Sequence, residues 1–350
     1  MIRKKLLLAA LISALAILAA CSRGRPQPPV GFPGFPIDDI GIAGTVLVVY
    51  STFTYDFASP IIELFEETHG ASVELHIGGT GPTINRLIAE ASSPRGDILW
   101  GGDMLALTPH AHLFEAFTSV NEPYMLPSQQ NTCGVFTRFT VNPVVLLVNP
   151  SLLGDIEIRG LACLLNPALR GRIAISYPNG SGGGLYHLVN MLYAMGGSNP
   201  HAGWDFVEQL VINTGGFMLQ NPAAIHEAVA SGVFTVGLTC EEKALAHFNG
   251  DNAVELVHIN EGSFAAQAVV AMVQGARNPE AAEIFIDFVT SYEVQAFVGT
   301  SLQARPARGD VPSAGVPGRE IYWLSADAAY ILEHRNAWIE RFWDLWMAHN

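Results

Sequence analysis

Along the chain, runs of aliphatic and β-branched residues alternate with stretches whose apolar positions recur every three or four residues. A continuous apolar run reads as a strand buried on both faces, and the wider spacing reads as the buried face of a helix. "TVLVVYS" at 45–51 predicts a first strand, and "YDFASPIIELFEETHG" predicts the helix after it, with Phe57, Ile61, Leu64 and Phe65 on one face. Pro60 fits that helix as its first residue behind a Ser59 cap, and Gly70 closes the far end. "ASVELHIG" at 71–78 predicts a second strand, "GPTINRLIAEASS" a second helix and "GDILWGG" at 96–102 a third strand. The apolar run "TVNPVVLLVNP" at 140–150 leads into a second region of the same kind. There, strands are expected at 172–177 and 234–240, and helices at 186–195, 204–210 and 223–232. A helix pair follows at 280–299, and the last forty residues read as helical and Trp-rich. This order is that of an α/β protein with a largely parallel sheet.

The N-terminus has a different pattern. "MIRKK" is a basic leader, and "LLLAALISALAILAA" is an apolar run of fifteen residues ending in small side chains before Cys21. A spanning helix needs about 20 residues, so the run reads as a cleavable signal segment. "LAAC" resembles the bacterial lipobox, which marks residues 1–20 as a lipoprotein signal peptide and Cys21 as the lipidated first residue of the mature chain. Residues 21–43, rich in Pro and Gly without an apolar period, read as a flexible leash. The folded part is then expected outside the cytoplasm, lipid-anchored to the cell membrane.

Removing residues 1–20 takes away Arg3, Lys4 and Lys5, so 15 basic residues face 32 acidic ones, a net charge of −17. Such a chain is not built to neutralise the phosphates of a nucleic acid. The remaining cysteines, Cys133, Cys163 and Cys240, are widely spaced and form no CxxC pair, so neither a metal knuckle nor a disulfide framework is indicated. One bridge or three free thiols both fit that count. The remaining length suits two lobes better than one core.

Small polar residues cluster after the expected strands: "YSTFT" at 50–54, "GGTGPT" at 78–83, "WGGD" at 100–103, "NGSGGG" at 179–184 and "GLTCEE" at 237–242. Open α/β sheets bind ligands beyond the carboxyl ends of their strands, where helix N-termini present free N–H groups suited to an anion. "GGTGPT" lacks the Gly-Lys-Ser/Thr ending of a P-loop, and "NGSGGG" lacks the dinucleotide fingerprint. Each loop alone reads more readily as turn chemistry; five at equivalent strand ends read as one cleft. The sequence also holds no GxSxG elbow and no HExxH, and its histidines are scattered, so no catalytic constellation stands out.

"VVYSTFTYDFASPIIELFEETHG", "GGTGPTINRLIAEASSPRGDILWGGD", "VNPVVLLVNPSLLGDIEIRGLACLLNPALRGRIAISYP", "HLVNMLYAMGG" and "VGLTCEEKA" resemble segments of bacterial extracellular solute-binding proteins of ABC transporters. The resemblance is to the ferric-iron, hexose-phosphate and phosphonate branch. It implies a two-lobed type II periplasmic-binding-protein fold of α/β class with two crossover hinge segments. Residues 44–139 and 274–350 would form lobe one, and 140–273 lobe two with the crossovers. The implied partners are a small anionic solute and the transmembrane subunits of an ABC permease, with the chain itself a monomer and no enzyme. Its expected ligand contacts are Ser51, Thr52, Thr80, Gly81, Ser181, Gly182, Gly183, His187 and Glu241, a donor-rich set that suits a phosphorylated or phosphonate solute. No cofactor is expected. The alternative is transported Fe3+, held by Tyr186, His187 and Glu241. Ferric-binding members use an adjacent tyrosine pair, because a hard cation wants anionic oxygen; this chain has no Tyr-Tyr. Arg305, in "ARPAR", fits either a salt bridge between elements or a contact to the anion.

Overall fold

The computed structural model describes residues 41–178, 182–197, 199–219, 222–247, 254–312 and 321–350. Its backbone is one eight-stranded sheet that serves two lobes. In the first lobe, β1 (Val46–Ser51) pairs in parallel with β2 (Ser72–Ile77) and β3 (Ile98–Gly101). Helices α1 (Tyr55–His69) and α2 (Thr80–Glu90) connect these strands, followed by the short α3 (Met104–Leu107). Successive strand residues face opposite sides: Leu47, Val49, Ile98 and Trp100 enter one core, while Tyr50 and Leu99 enter another. That two-sided burial is why β1 and β3 read as unbroken apolar runs.

The twelve-residue β4 (Thr137–Val148) carries the chain across. Its first half lies antiparallel to β8 (Ala265–Met272), which also pairs with β3; its second half pairs with β6 (Val236–Cys240) and β7 (Glu255–His258). The two-residue β5 (Ile173–Ala174) adds to β6 in parallel. Pro143 is the last β4 residue paired with β8, and Val144 the first paired with β6. A residue without an N–H is tolerated where the ladder changes partner. These two strands are the crossovers expected from the resemblance.

The second lobe packs α4 (Gly182–Gly196), α5 (Trp204–Thr214), α6 (Pro222–Ala230) and α7 (Glu241–His247) around that sheet. Val144, Leu146 and Val148 enter one core with α4 and α5, and Val145 and Leu147 another with α6. After β8, α8 (Pro279–Val289) and α9 (Tyr292–Thr300) return to the first lobe through Phe285, Val289 and Val298.

Four expectations need correction. The sheet is mixed rather than largely parallel, since β8 pairs antiparallel with β3 and β4 pairs antiparallel with β6, β7 and β8. The final helix α10 (Ala328–His349) packs on the second lobe, with Ile331, Trp338 and Phe342 in the core that holds Tyr193 and Trp204, so residues 274–350 are not all part of lobe one. Helix α1 begins at Tyr55 behind Thr54, which leaves Pro60 inside the helix, where it cannot donate to the Asp56 carbonyl. Gly70 does end α1, in a left-handed conformation with φ 66°. The helix expected from Tyr186 starts earlier, at Gly182, so the glycines are its first turn. A Cβ on Gly184 would overlap the Tyr177 carbonyl, so that glycine is required by close helix–strand approach.

Candidate functional site

The C-terminal ends of β1, β2 and β3 and the two crossover strands enclose a cleft of about 340 Å³. Thr52, Thr54 and Phe57 line it from the β1–α1 turn, Thr80 from the start of α2, and Asp103 from the turn after β3. Thr140, Asn142 and Gln267 contribute polar groups from the crossovers, and Glu242 reaches in from the start of α7. Neither α1 nor α2 has a side-chain cap at its N-terminus, so its first N–H groups are left to other acceptors.

The "WGGD" turn shapes one wall. Gly101 and Gly102 take φ of 102° and 83°, and a Cβ on Gly101 would collide with the Thr52 hydroxyl. This conformation lets the Gly102 N–H donate to Thr52 Oγ1 at 2.6 Å and turns Asp103 back to cap α3 at the Ala106 N–H, 3.0 Å away. Asp103 also faces the phenol of Tyr186, which is buried in the second lobe and stacked on Phe264 with ring centroids 5.3 Å apart. Burial pushes the Asp103 carboxyl up despite its bond to the Ala106 N–H, and burial beside that carboxylate pushes the Tyr186 phenol well above its usual range. This pair is a polar bridge between the lobes.

A second bridge lies at the hinge. Glu241 is 2% exposed; Arg305 grips it with Nε to Oε2 at 2.8 Å and Nη2 to Oε1 at 2.7 Å, and His258 Nε2 lies 2.7 Å from Oε1. Burial opposes ionisation, but the bonds from His258 and Arg305 outweigh it and hold the carboxyl below its usual range. Arg305 belongs to the strap that runs beside β4, where the Val141 N–H donates to its carbonyl. Of the two readings open for Arg305, the salt bridge is the one observed.

Of the expected contacts, Thr52 and Thr80 line the cleft. Gly81 lies exposed in the first turn of α2 with open space around it, and Gly182 and Gly183 are in the first turn of α4. Ser181 and Cys21 lie outside the described residues. Three expected contacts are placed elsewhere. Ser51 is fully buried, its hydroxyl accepting from the Phe53 N–H. His187 is buried in the second lobe with neither ring nitrogen hydrogen-bonded, and burial lowers its pKa to about 4. Glu241 is occupied by Arg305 and His258, while its neighbour Glu242 faces the cleft and exchanges hydrogen bonds with Asn142. Thus Tyr186, His187 and Glu241 do not converge as a metal site, and no cluster of three His, Cys, Asp or Glu able to hold a metal occurs among the described residues.

Sequence reasoning misses Thr140, Asn142 and Gln267 as cleft residues, while Asp103 and Glu242 lie in loops it assigns to the cleft without being named as contacts. A signal is present for the crossover residues: Thr140, Asn142 and Gln267 are polar interruptions in otherwise apolar runs. Among the described residues Cys133, Cys163 and Cys240 form no disulfide, and no helix is long and apolar enough to cross a membrane.

The comparisons with known proteins agree with this fold. A probable ABC transporter periplasmic-binding protein of Sinorhizobium fredii is 26% identical over 235 residues, spanning 65% of this chain and 64% of the relative. The periplasmic binding protein AfuA from Actinobacillus pleuropneumoniae, solved with fructose-6-phosphate bound, superposes with a TM-score of 0.67 at 20% identity over 86% of this chain and 98% of that one. A Bordetella ferric binding protein superposes with a TM-score of 0.73 at 15% identity, over 86% and 98%. The family model of bacterial extracellular solute-binding proteins matches residues 46–300, and the chain belongs to that family.

Proposed function

We propose that this protein captures a small phosphorylated or phosphonate solute in the cleft between its lobes and delivers it, chemically unchanged, to the permease of an ABC importer. The observation that carries the reading is the lining itself. Thr52, Thr54, Thr80 and Thr140 offer hydroxyls, Asn142 and Gln267 offer amides, and two uncapped helices begin at the wall. Such neutral donors stabilise an anion without a counter-charge. The carboxylates of Asp103 and Glu242 then suit the hydroxyl groups of an organic portion. The fructose-6-phosphate bound to AfuA is a cargo of this chemistry.

Ferric iron is the second reading, and one observation favours it. The Tyr186 phenol and the Asp103 carboxylate face each other across the lobes, and both are hard oxygen donors. Against it stand the missing tyrosine pair and the placement of His187 and Glu241.

Thermal unfolding of the lipid-free domain against fructose 6-phosphate, methylphosphonate, inorganic phosphate and ferric citrate separates the two. Ligand at 100 times its Kd stabilises the native state by about 2.7 kcal/mol, a rise of roughly 5 °C. An increase with a phosphorus compound supports the proposal, and one confined to ferric citrate replaces it with the second reading. The same proposal makes Cys21 the lipid attachment point that holds the protein at the outer face of the membrane.

A further inference from the structure

Arg138 lies on β4 beside the cleft and is 6% exposed. Burying a guanidinium costs several kcal/mol unless it is paired, so such residues ordinarily face a carboxylate. Among the described residues Arg138 hydrogen-bonds none: Nη1 donates to the Phe136 carbonyl and Nε donates to Gln267 Oε1 at 3.2 Å, while the Glu122 carboxylate acts on it only through its field. The strands explain the last contact. Arg138 is paired with Val269, and Gln267 lies two residues along the same face of β8, within diagonal reach. The register shift between Arg138 and Thr140 adds local twist at that point.

A guanidinium has donors and no acceptor, so only the oxygen of the Gln267 amide can face it. The amide is thereby fixed, and its NH2 group remains for the cleft that Gln267 lines. We infer that Arg138 is a positioning residue that orients Gln267 as a donor to an anionic cargo and adds positive charge beside the cleft. This deepens the proposed function and rests on it. Arg138 gives the cleft a preference for acceptor-rich anions although no Lys or Arg among the described residues lines its wall.

The test is calorimetric titration of the full-length protein and its variants with fructose 6-phosphate, methylphosphonate and inorganic phosphate, alongside their unfolding midpoints. Gln267→Glu is expected to lose at least about 100-fold in affinity for each probe that binds the wild type, since it turns a donor into an anion. Its midpoint should stay level or rise, because the introduced carboxylate would pair with Arg138; a merely structural role does not separate the two readouts in this way. Arg138→Met should lose about tenfold, and Arg138→Lys, which keeps a charged donor, should recover part of that loss. If Gln267→Glu binds within threefold of wild type, or Arg138→Met keeps its affinity, the inference is overturned while the proposed function stands. Should Arg138→Met not fold, Gln267→Glu alone decides. Wild-type protein that binds none of the three probes defeats the anionic-cargo reading, and this inference falls with it.

Discussion

Replacing Arg305 with Met tests whether the hinge is held by a buried ion pair. The methionine fills similar volume but removes both guanidinium bonds from Glu241, which is 2% exposed, and leaves it the bond with His258. Breaking a buried pair from one side costs about 3–5 kcal/mol, because an uncompensated charge stays in the interior. At roughly 2 °C per kcal/mol for a chain of this size, the midpoint should fall by about 6–10 °C. Denaturant unfolding across pH gives the sharper signature. In the wild type the folded Glu241 pKa lies below its ordinary value of 4.5. Its contribution is therefore fully present above about pH 4.5 and is lost as pH falls through the depressed folded value. In Arg305→Met, burial is opposed by fewer bonds, the folded pKa should rise, and acid should cost the variant less than it costs the wild type. The double variant with Glu241→Gln should regain much of the loss. A loss below about 1 kcal/mol with an unchanged acid profile would refute the reasoning, since that is how an exposed pair behaves.

Other expectations follow from single residues. Gly184→Ala should destabilise the second lobe by at least about 2 kcal/mol, read by chemical denaturation, because the new methyl meets the Tyr177 carbonyl. His187 has a folded pKa of about 4 against 6.5, so the unfolded state binds the extra proton between these values and stability falls as pH drops through that window. The loss amounts to about 3 kcal/mol, and it should vanish from the pH profile of His187→Leu. Tyr186→Phe removes the phenol that faces Asp103 and should loosen the contact between lobes by about 1 kcal/mol, seen as a larger radius of gyration in solution scattering. Cys21→Ser should abolish incorporation of labelled palmitate if Cys21 is the anchor.

The strands are legible because β1, β3 and β4 are buried on both faces, which leaves an unbroken apolar run whatever the tertiary context. The crossovers are legible only through resemblance, since nothing local distinguishes a strand that serves two lobes from one that serves one. Helix α10 is misplaced by the sequence for a related reason: its Trp and Phe residues announce burial but not which core they enter. Among site residues, Thr52 and Thr80 can be found because turn residues after a strand point at the cleft by topology. His187 and Glu241 mislead because a polar residue near a glycine-rich loop or a strand end looks the same in sequence whether it meets ligand or another buried side chain. Gln267 escapes notice, and Asp103 is seen only as the end of a glycine turn, because their roles depend on Arg138 and Tyr186, 129 and 83 positions away in sequence.

The most direct measurement is the 31P NMR spectrum of fructose 6-phosphate and of methylphosphonate during titration with wild-type protein and with a Thr52→Val, Thr80→Val variant. The account predicts a shifted or broadened phosphorus resonance with the wild type for at least one compound, and a weaker response in the variant. Sharp, unshifted resonances for both compounds, with a coloured complex forming on ferric citrate, would contradict it and give the cleft to iron.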